Sequence, residues 1–169
     1  EEQATVHEVK KKDVFVEVYK SISRDERLPF KSVDYMVRRY LQHPVYKYRI
    51  FLLKSGKEDA KSIVVTRVQY VEGASIMRII DCVGKIENLR YIPRPFLEII
   101  ERENHECIEL ESNIHPSELI GSGFINKRDT NDIIPSHFQP FSKSNQRIGY
   151  EVSGGDLVIF RGDSDGDRP

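Results

Sequence analysis

Three carboxylates that lie in or beside apolar, strand-like segments are the side chains in this sequence best suited to chemistry. Asp81 interrupts the apolar run at residues 79–83, where an unpaired charge is costly to bury. Glu109 and Glu111 are two positions apart, so on a strand they share a face. Because burial and mutual repulsion shift carboxylate pKa values, Asp81 or Glu111 is predicted to be a general base that deprotonates an amine or a hydroxyl.

Each of these groups also has a structural interpretation. Asp81 fits a hydrogen-bonded or salt-bridged strand residue, and Glu109 and Glu111 fit acids that bind arginines or face water. Cys82 and Cys107 fit half-buried packing positions, because the sequence shows neither a base nor an electropositive site beside them. The five histidines are not spaced like metal ligands, so no metal site is predicted.

The N-terminal part of the chain predicts a strand followed by two helices. Residues 5–9 alternate weakly, as a short strand does. Asp13 is a candidate cap for a helix with an apolar stripe, and Ser32 is a candidate cap for a second one. The second helix must end near His43, because the residue before Pro44 is pushed out of the helical region.

The middle of the chain predicts a meander followed by a return strand. Strand-like segments at residues 46–53, 62–71 and 75–83 are separated by short polar turns, which indicates antiparallel pairing. A helix over residues 95–104 then precedes a compact strand at residues 107–110. This order predicts one α/β domain over residues 1–160, with a central mixed, largely antiparallel sheet flanked by helices.

The C-terminal part predicts weaker elements. Pro116 starts a short helix, and strand candidates follow at residues 133–141, 148–152 and 157–160. Residues 161–169 form an acidic tail with aspartates at alternate positions. We expect this tail to be solvated; the alternative is a tail that folds back over a crevice and offers carboxylates to an amino sugar or a cation.

Composition excludes several classes of protein. Lys and Arg total 26 and Asp and Glu total 27, for a net charge of −1, which argues against a nucleic-acid binder. No apolar run approaches the ~20 residues of a transmembrane segment, and the first ten residues lack the apolar core of a signal peptide. Two cysteines cannot build a disulfide framework, so a cytoplasmic location is predicted.

The order of elements resembles the GNAT acetyltransferase superfamily from about residue 5 to residue 160. Asn113 matches a frequent CoA-contacting Asn of that family, and Gly123-Phe124 matches the Gly-Phe that closes its following helix. The resemblance implies that the third long strand pairs its backbone with the pantetheine arm of acetyl-CoA or another acyl-CoA. The cofactor-binding residues that it implies are Ile80, Cys82, Val83, Gly84 and Asn113.

Two donor-site signals of the GNAT family are missing. The family's phosphate loop has well-spaced glycines whose backbone N–H groups cradle a pyrophosphate. Residues 84–89 contain one glycine and the acidic Glu87, and Pro93 and Pro95 remove further donors. Leu119 stands where the family often has a Tyr that protonates the leaving thiolate. We therefore expect weak binding of acyl-CoA.

A second resemblance concerns residues 39–48 and 160–169, which are similar to GNAT-like proteins of bacterial capsule and O-antigen polysaccharide biosynthesis clusters. Those proteins tend to be longer, with a preceding GNAT-like domain, which implies that this chain is the C-terminal half of a longer protein. The implied function is acyl transfer to a sugar or amino sugar. The alternative is a non-catalytic recognition or scaffolding domain that completes the acceptor site of a partner GNAT domain.

Overall fold

Five strands form one mixed sheet in the computed structural model, which describes residues 4–55, 61–71, 73–133, 150–151, 155–164 and 167. The order of the strands across the sheet is the same as their order in the chain. The first four strands pair antiparallel, and the fourth and fifth pair parallel. The predicted mixed, largely antiparallel sheet is therefore confirmed. The strands are β1 (Thr5–Glu8), β2 (Tyr48–Lys54), β3 (Lys61–Val71), β4 (Ala74–Val83) and β5 (Ile108–Leu110).

The helices connect these strands as the hydrophobic periodicity predicts, with shifts at their ends. They are α1 (Lys12–Lys20), α2 (Val33–Met36) and α3 (Pro93–Glu103). A π-helical turn, Val37–Leu41, continues α2, so the predicted second helix has two parts. Ser32 caps α2 by accepting a hydrogen bond from the Tyr35 backbone N–H, as predicted, whereas the expected cap Asp13 lies in the first turn of α1.

Helices cover the sheet on both faces, because the side chains of the central strands alternate between two apolar cores. Ile50 and Leu52 of β2 belong to the core formed with α1 and α2, which we call the α1–α2 face. Phe51 and Leu53 belong to the core formed with α3, the α3 face. The aromatic rings of Phe51 and Phe96 are 5.0 Å apart there. Both faces of the sheet are therefore buried, which explains why its strands read as almost continuous apolar runs.

A β-bulge interrupts β4 next to Asp81. Val65 lies opposite Asp81 and the next residue, Thr66, lies opposite Ile79, so Ile80 is an extra residue in β4. Ile80 belongs to the core of the α1–α2 face, and the Asp81 carboxylate contacts side chains of the same face. The bulge therefore directs two consecutive residues of β4 to one side of the sheet.

Part of the C-terminal segment packs against the sheet, with buried residues at positions 158, 160–162 and 167. Ser112 forms an isolated antiparallel bridge with Phe160, where a strand over residues 157–160 was expected, and a 3₁₀ turn follows at Arg161–Asp163. The expectation of a solvated tail is wrong for the tail residues Arg161, Gly162 and Asp167, which are buried, whereas Ser164 is exposed. The Asp167 carboxylate lies 3.1 Å from a guanidinium nitrogen of Arg39.

The other predicted C-terminal elements are a helix at Pro116 and two strands further along the chain. The helix expected at Pro116 is a 3₁₀ turn, Pro116–Leu119. The strand candidates at residues 133–141 and 148–152 lie outside the described residues, except for positions 133, 150 and 151, which are not in strands.

Candidate functional site

Asp81, a predicted general base, is fully enclosed by the protein. Its side chain is 0% exposed, and its carboxylate accepts three hydrogen bonds. The donors are the Lys31 ammonium at 2.5 Å, the Tyr40 hydroxyl at 2.6 Å and the backbone N–H of Cys82 at 2.8 Å. These contacts match the structural interpretation of Asp81 as a hydrogen-bonded, salt-bridged strand residue, and its role as a general base stays a prediction.

Lys31 is shared between two carboxylates. Its ammonium lies 2.8 Å from the Asp163 carboxylate as well as beside Asp81, and its backbone carbonyl accepts a hydrogen bond from the Tyr19 hydroxyl. We call Lys31, Tyr40, Asp81 and Asp163 the Asp81 cluster. It holds two carboxylates for one ammonium, all within the α1–α2 side of the sheet.

Burial and charge shift the pKa values in the Asp81 cluster. Burial raises the pKa of Asp81, and the nearby Asp163 carboxylate raises it further, although Lys31 opposes both. Burial alone would lower the pKa of Lys31, but the two carboxylates outweigh it and the pKa is raised. Burial and Asp81 together raise the pKa of the Tyr40 hydroxyl. Lys31 and Tyr40 therefore keep their protons at neutral pH and remain donors to Asp81.

The other predicted acids form a second group, which we call the Arg161 cluster: Arg78, Glu109, Glu111 and Arg161. A guanidinium nitrogen of Arg161 lies 3.2 Å from the Glu109 carboxylate and donates to Glu111 as well. Arg78 is 1% exposed and lies 2.9 Å from Glu109. Sequence reasoning placed Glu109 and Glu111 on one face, and the structure brings them together on Arg161, as its structural interpretation allowed.

The charges of the Arg161 cluster also shift its pKa values. Burial lowers the pKa of Arg78 to about 10. Burial, together with the charge of Glu109, raises the pKa of Glu111, and Arg161 opposes that rise. Each acid in this cluster has a cation within ion-pair distance, so the cluster holds the C-terminal segment on the sheet.

The turn Arg161–Asp163 joins the two clusters through three consecutive residues. Arg161 binds Glu109 and Glu111, and Asp163 binds Lys31. Gly162, between them, lies against β4: a Cβ atom there would be 2.5 Å from the Tyr40 hydroxyl and 2.9 Å from the Ile80 carbonyl oxygen. Because real Cβ atoms do not approach that closely, only glycine fits at this position without a shift of its neighbours.

The residues to which the resemblance assigns acyl-CoA contacts are placed as follows. Ile80, Cys82 and Val83 have buried side chains at the end of β4, and the carbonyl of Gly84 accepts a hydrogen bond from the Asp25 backbone N–H at 3.0 Å. The side chain of Asn113 donates to one backbone carbonyl and accepts from one backbone N–H of the C-terminal segment, at residues 157 and 159, each at 2.8 Å. The Asn113 amide thus binds the chain itself.

Neither cysteine has the environment of a nucleophile. Cys82 and Cys107 are both free. Burial raises the pKa of the Cys82 thiol, with a further contribution from the charge of Asp81. Burial and nearby glutamates likewise raise the pKa of Cys107. Both thiols are therefore protonated at neutral pH, whereas a nucleophilic cysteine needs to be a thiolate.

An open pocket lies at the same end of β4, and sequence reasoning did not find it. Its volume is about 300 Å³. It is built mainly from the loop between α1 and α2, with β4 as its floor. We call it the Arg24 pocket, lined by Tyr19, Arg24, Asp25, Glu26, Leu28, Pro29, Phe30, Lys31, Cys82 and Val83.

The loop that forms the Arg24 pocket is held to the sheet by several contacts. Its Asp25 backbone N–H binds Gly84, and its Arg27 carbonyl accepts from the Val158 N–H at 2.8 Å. The Asp25 carboxylate accepts from Arg27 and from the Ile86 N–H. The pocket is therefore formed before any ligand arrives. The sequence shows only that Arg24 and Phe30 lie in one loop, and this does not indicate how the loop folds.

The chain was compared with family models, curated proteins and solved structures. No family model, no curated protein and no solved structure matches the chain. Within the described part of the chain, no three His, Cys, Asp or Glu residues are grouped as metal ligands, and none of the described helices is both long and apolar enough to cross a bilayer.

Proposed function

We propose that this chain is a GNAT-like ligand-binding domain that does not transfer an acyl group by itself. The strand topology supports the GNAT-like part of this proposal. Four antiparallel strands are followed by α3 and by a fifth strand that pairs parallel with the fourth. This is the order of elements on which the resemblance of the sequence depends.

The position of the turn Arg161–Asp163 supports the other part of the proposal, that the domain does not transfer an acyl group by itself. The pairing of β4 with β5 ends at residue 79, and the resemblance assigns the acyl donor to the backbone of β4 beyond that point. Gly162 lies against the carbonyl oxygen of Ile80 there, and a Cβ atom at Gly162 would be only 2.9 Å from that oxygen. A pantetheine arm would have to displace this turn to pair with that backbone.

The two predicted catalytic acids support the same conclusion. A general base must reach the proton that it removes, within hydrogen-bond distance or through one water. Asp81 is fully buried and its carboxylate accepts hydrogen bonds from three donors, and Glu111 binds Arg161. Both carboxylates therefore already have partners within the fold.

Ligand binding is supported by the Arg24 pocket, which is open while the edge of β4 is covered. A partner GNAT-like domain, a sugar or amino sugar acceptor and a role in bacterial surface-polysaccharide biosynthesis remain predictions from the resemblance. The pocket gives such a domain a concave surface for a small molecule.

Acetyl-CoA titration and a thiol-release assay test this proposal. With acetyl-CoA at about 1 mM and glucosamine as a trial acceptor, we expect at most weak binding, with a Kd of about 1 mM or above, and no release of CoA thiol. Binding in the micromolar range would contradict the proposal. So would thiol release that the substitution Asp81→Asn abolishes and the substitution Asp34→Asn, on an exposed residue of α2, leaves intact.

Acyl transfer is the second candidate function, and one observation favours it. β4 continues for four residues beyond its pairing with β5. A donor that binds between the two strands would need such a stretch of β4 that β5 does not pair with. If the turn Arg161–Asp163 is displaced by a donor, acetyl-CoA should shift the backbone amide NMR signals of residues 80–84 and 161–163 together. The signals of β1, at the far edge of the sheet, serve as the control.

A further inference from the structure

Arg24 differs from the other charged residues around it in how its side chain is used. Its guanidinium carbon lies 4.6 Å from the ring centre of Tyr19 and 5.0 Å from that of Phe30. Among the described residues, no carboxylate lies within ion-pair distance of it. By contrast, Lys31 and Arg27, its neighbours along the loop, each bind two carboxylates.

A cation–π contact occupies no hydrogen-bond donor of the guanidinium, so the N–H groups stay available for an acceptor. Those N–H groups match a carboxylate or a phosphate, which can accept two of them at once. Arg24 lines the pocket and donates no hydrogen bond to another described residue, so its N–H groups are available to a molecule in the pocket. The aromatic contacts fix the guanidinium before a ligand binds.

The acids that line the pocket do not change this preference. Asp25 accepts three hydrogen bonds from Arg27 and one from the Ile86 backbone N–H, so its charge is already compensated. Glu26 is exposed and, within the described part of the chain, forms no ion pair with Arg24. The Asp81 and Asp163 carboxylates lie on Lys31, away from the guanidinium of Arg24.

The remaining lining favours a flat, apolar body on the same ligand. Phe30 is 80% exposed, although it is a large aromatic residue next to a preformed cavity. Leu28 and Pro29 form a wall, and Val83 is part of the buried floor. A volume of about 300 Å³ suits a molecule of one or two rings.

We propose that the Arg24 pocket binds a small aromatic anion, with its carboxylate or phosphate on the Arg24 guanidinium and its ring against Phe30. This proposal rests on the proposed function as a binding domain, and it names the class of ligand. The two are separable by experiment: acetyl-CoA turnover would overturn the proposed function and leave this site, whereas a failure of the anions below to bind would overturn the site alone.

Titration of the whole chain with four matched probes, followed by ¹H–¹⁵N NMR and calorimetry, tests the site. The probes are benzoate, phenyl phosphate, benzyl alcohol and benzylamine. We expect at least one anion to bind with a Kd of about 1 mM or tighter, and about tenfold more tightly than benzyl alcohol. The comparison of benzoate with phenyl phosphate then distinguishes the carboxylate from the phosphate as the preferred group.

Two substitutions locate the binding. Arg24→Gln should weaken binding of the anion about tenfold or more, and Arg38→Gln, the same change at an exposed residue outside the pocket, should leave it unchanged. Phe30→Ala should weaken it about threefold to tenfold. Because the Phe30 ring is exposed, this variant keeps the test valid if Arg24→Gln does not fold.

The outcomes that overturn the site are equally specific. They are equal affinity for benzyl alcohol and the anions, tighter binding of benzylamine than of either anion, and anion binding that survives Arg24→Gln. A lack of any shift in the amide signals of residues 24–31 with either anion at about 10 mM would also overturn it.

Discussion

The Asp81 cluster and the Arg24 pocket lie on two sides of Lys31, yet they use charge in opposite ways. In the Asp81 cluster every charged group has a charged partner, and a segment from the C-terminal part of the chain covers it. In the pocket, the Arg24 guanidinium forms cation–π contacts with two aromatic rings and has no carboxylate partner among the described residues. Charge that is satisfied internally stabilises the fold, whereas charge held in place without a partner is available to a ligand.

Removing the central cation of the Asp81 cluster is expected to have the largest effect on stability. Lys31→Met leaves Asp81 and Asp163 buried near each other without a cation, and breaking a buried ion pair from one side costs about 3–5 kcal/mol. Urea denaturation measures this loss in the free energy of unfolding. Lys85→Met, at an exposed position, should cost under about 0.5 kcal/mol. A loss of similar size in both variants would show that the cluster is not a buried network.

Filling the space at Gly162 is expected to have the next largest effect. Gly162→Ala places a Cβ atom against the Tyr40 hydroxyl and the Ile80 carbonyl, and such overpacking costs about 1–3 kcal/mol. In a double-mutant cycle with Tyr40→Phe, which removes the hydroxyl oxygen, part of that loss should be recovered as a coupling energy of about 0.5 kcal/mol or more. Additive losses would mean that the turn does not pack on Tyr40.

A substitution in the Arg24 pocket should weaken ligand binding strongly and reduce stability only slightly. Arg24→Gln removes two cation–π contacts at a partly exposed site, which is expected to cost about 0.5–1 kcal/mol in the free energy of unfolding. The same substitution should weaken benzoate or phenyl phosphate about tenfold. A loss of stability comparable to that of Lys31→Met would place Arg24 among the structural charges and remove the contrast between the two regions.

Acid sensitivity provides the smallest of these effects. Burial opposes ionisation of Asp25, but its hydrogen bonds from Arg27 and Ile86 outweigh burial and lower its pKa below the ordinary 3.8. The stability that Asp25 contributes is therefore present above pH 3.8 and is lost as the pH falls through the lower, folded-state value. Asp25→Asn should flatten the fall in unfolding free energy between about pH 5 and pH 3. Glu26→Gln, at the neighbouring exposed residue, should keep the wild-type slope; a flattened slope in both variants would assign the effect to the loop's total charge.

The sheet could be predicted from the sequence because its signals are local. The three long strands are apolar runs between polar turns, and Pro44 and Asn104 mark helix ends that the structure confirms within a residue or two. Asp81 stands out in the sequence because a carboxylate in an apolar run needs a partner, and the structure shows its partners in Lys31 and Tyr40.

The partners themselves could not be predicted, because they are distant in sequence. Asp81 binds Lys31, 50 residues away, and Glu111 binds Arg161, also 50 residues away. No periodicity encodes such pairs, and the acidic pattern of residues 161–169 is equally typical of a solvated tail. The pocket was missed for the same reason: Arg24 meets Tyr19 and Phe30 only after the loop has folded.

The packing of Arg161–Asp163 and Asp167 has a consequence for the order in which the molecule assembles. The antiparallel strands are neighbours in sequence and can pair early, since short loops close rapidly. Asp167 reaches Arg39 only across 128 residues, and the ribosome makes this segment after the whole sheet. During synthesis, Lys31 and Arg39 therefore lack Asp163 and Asp167 as partners until this late segment docks.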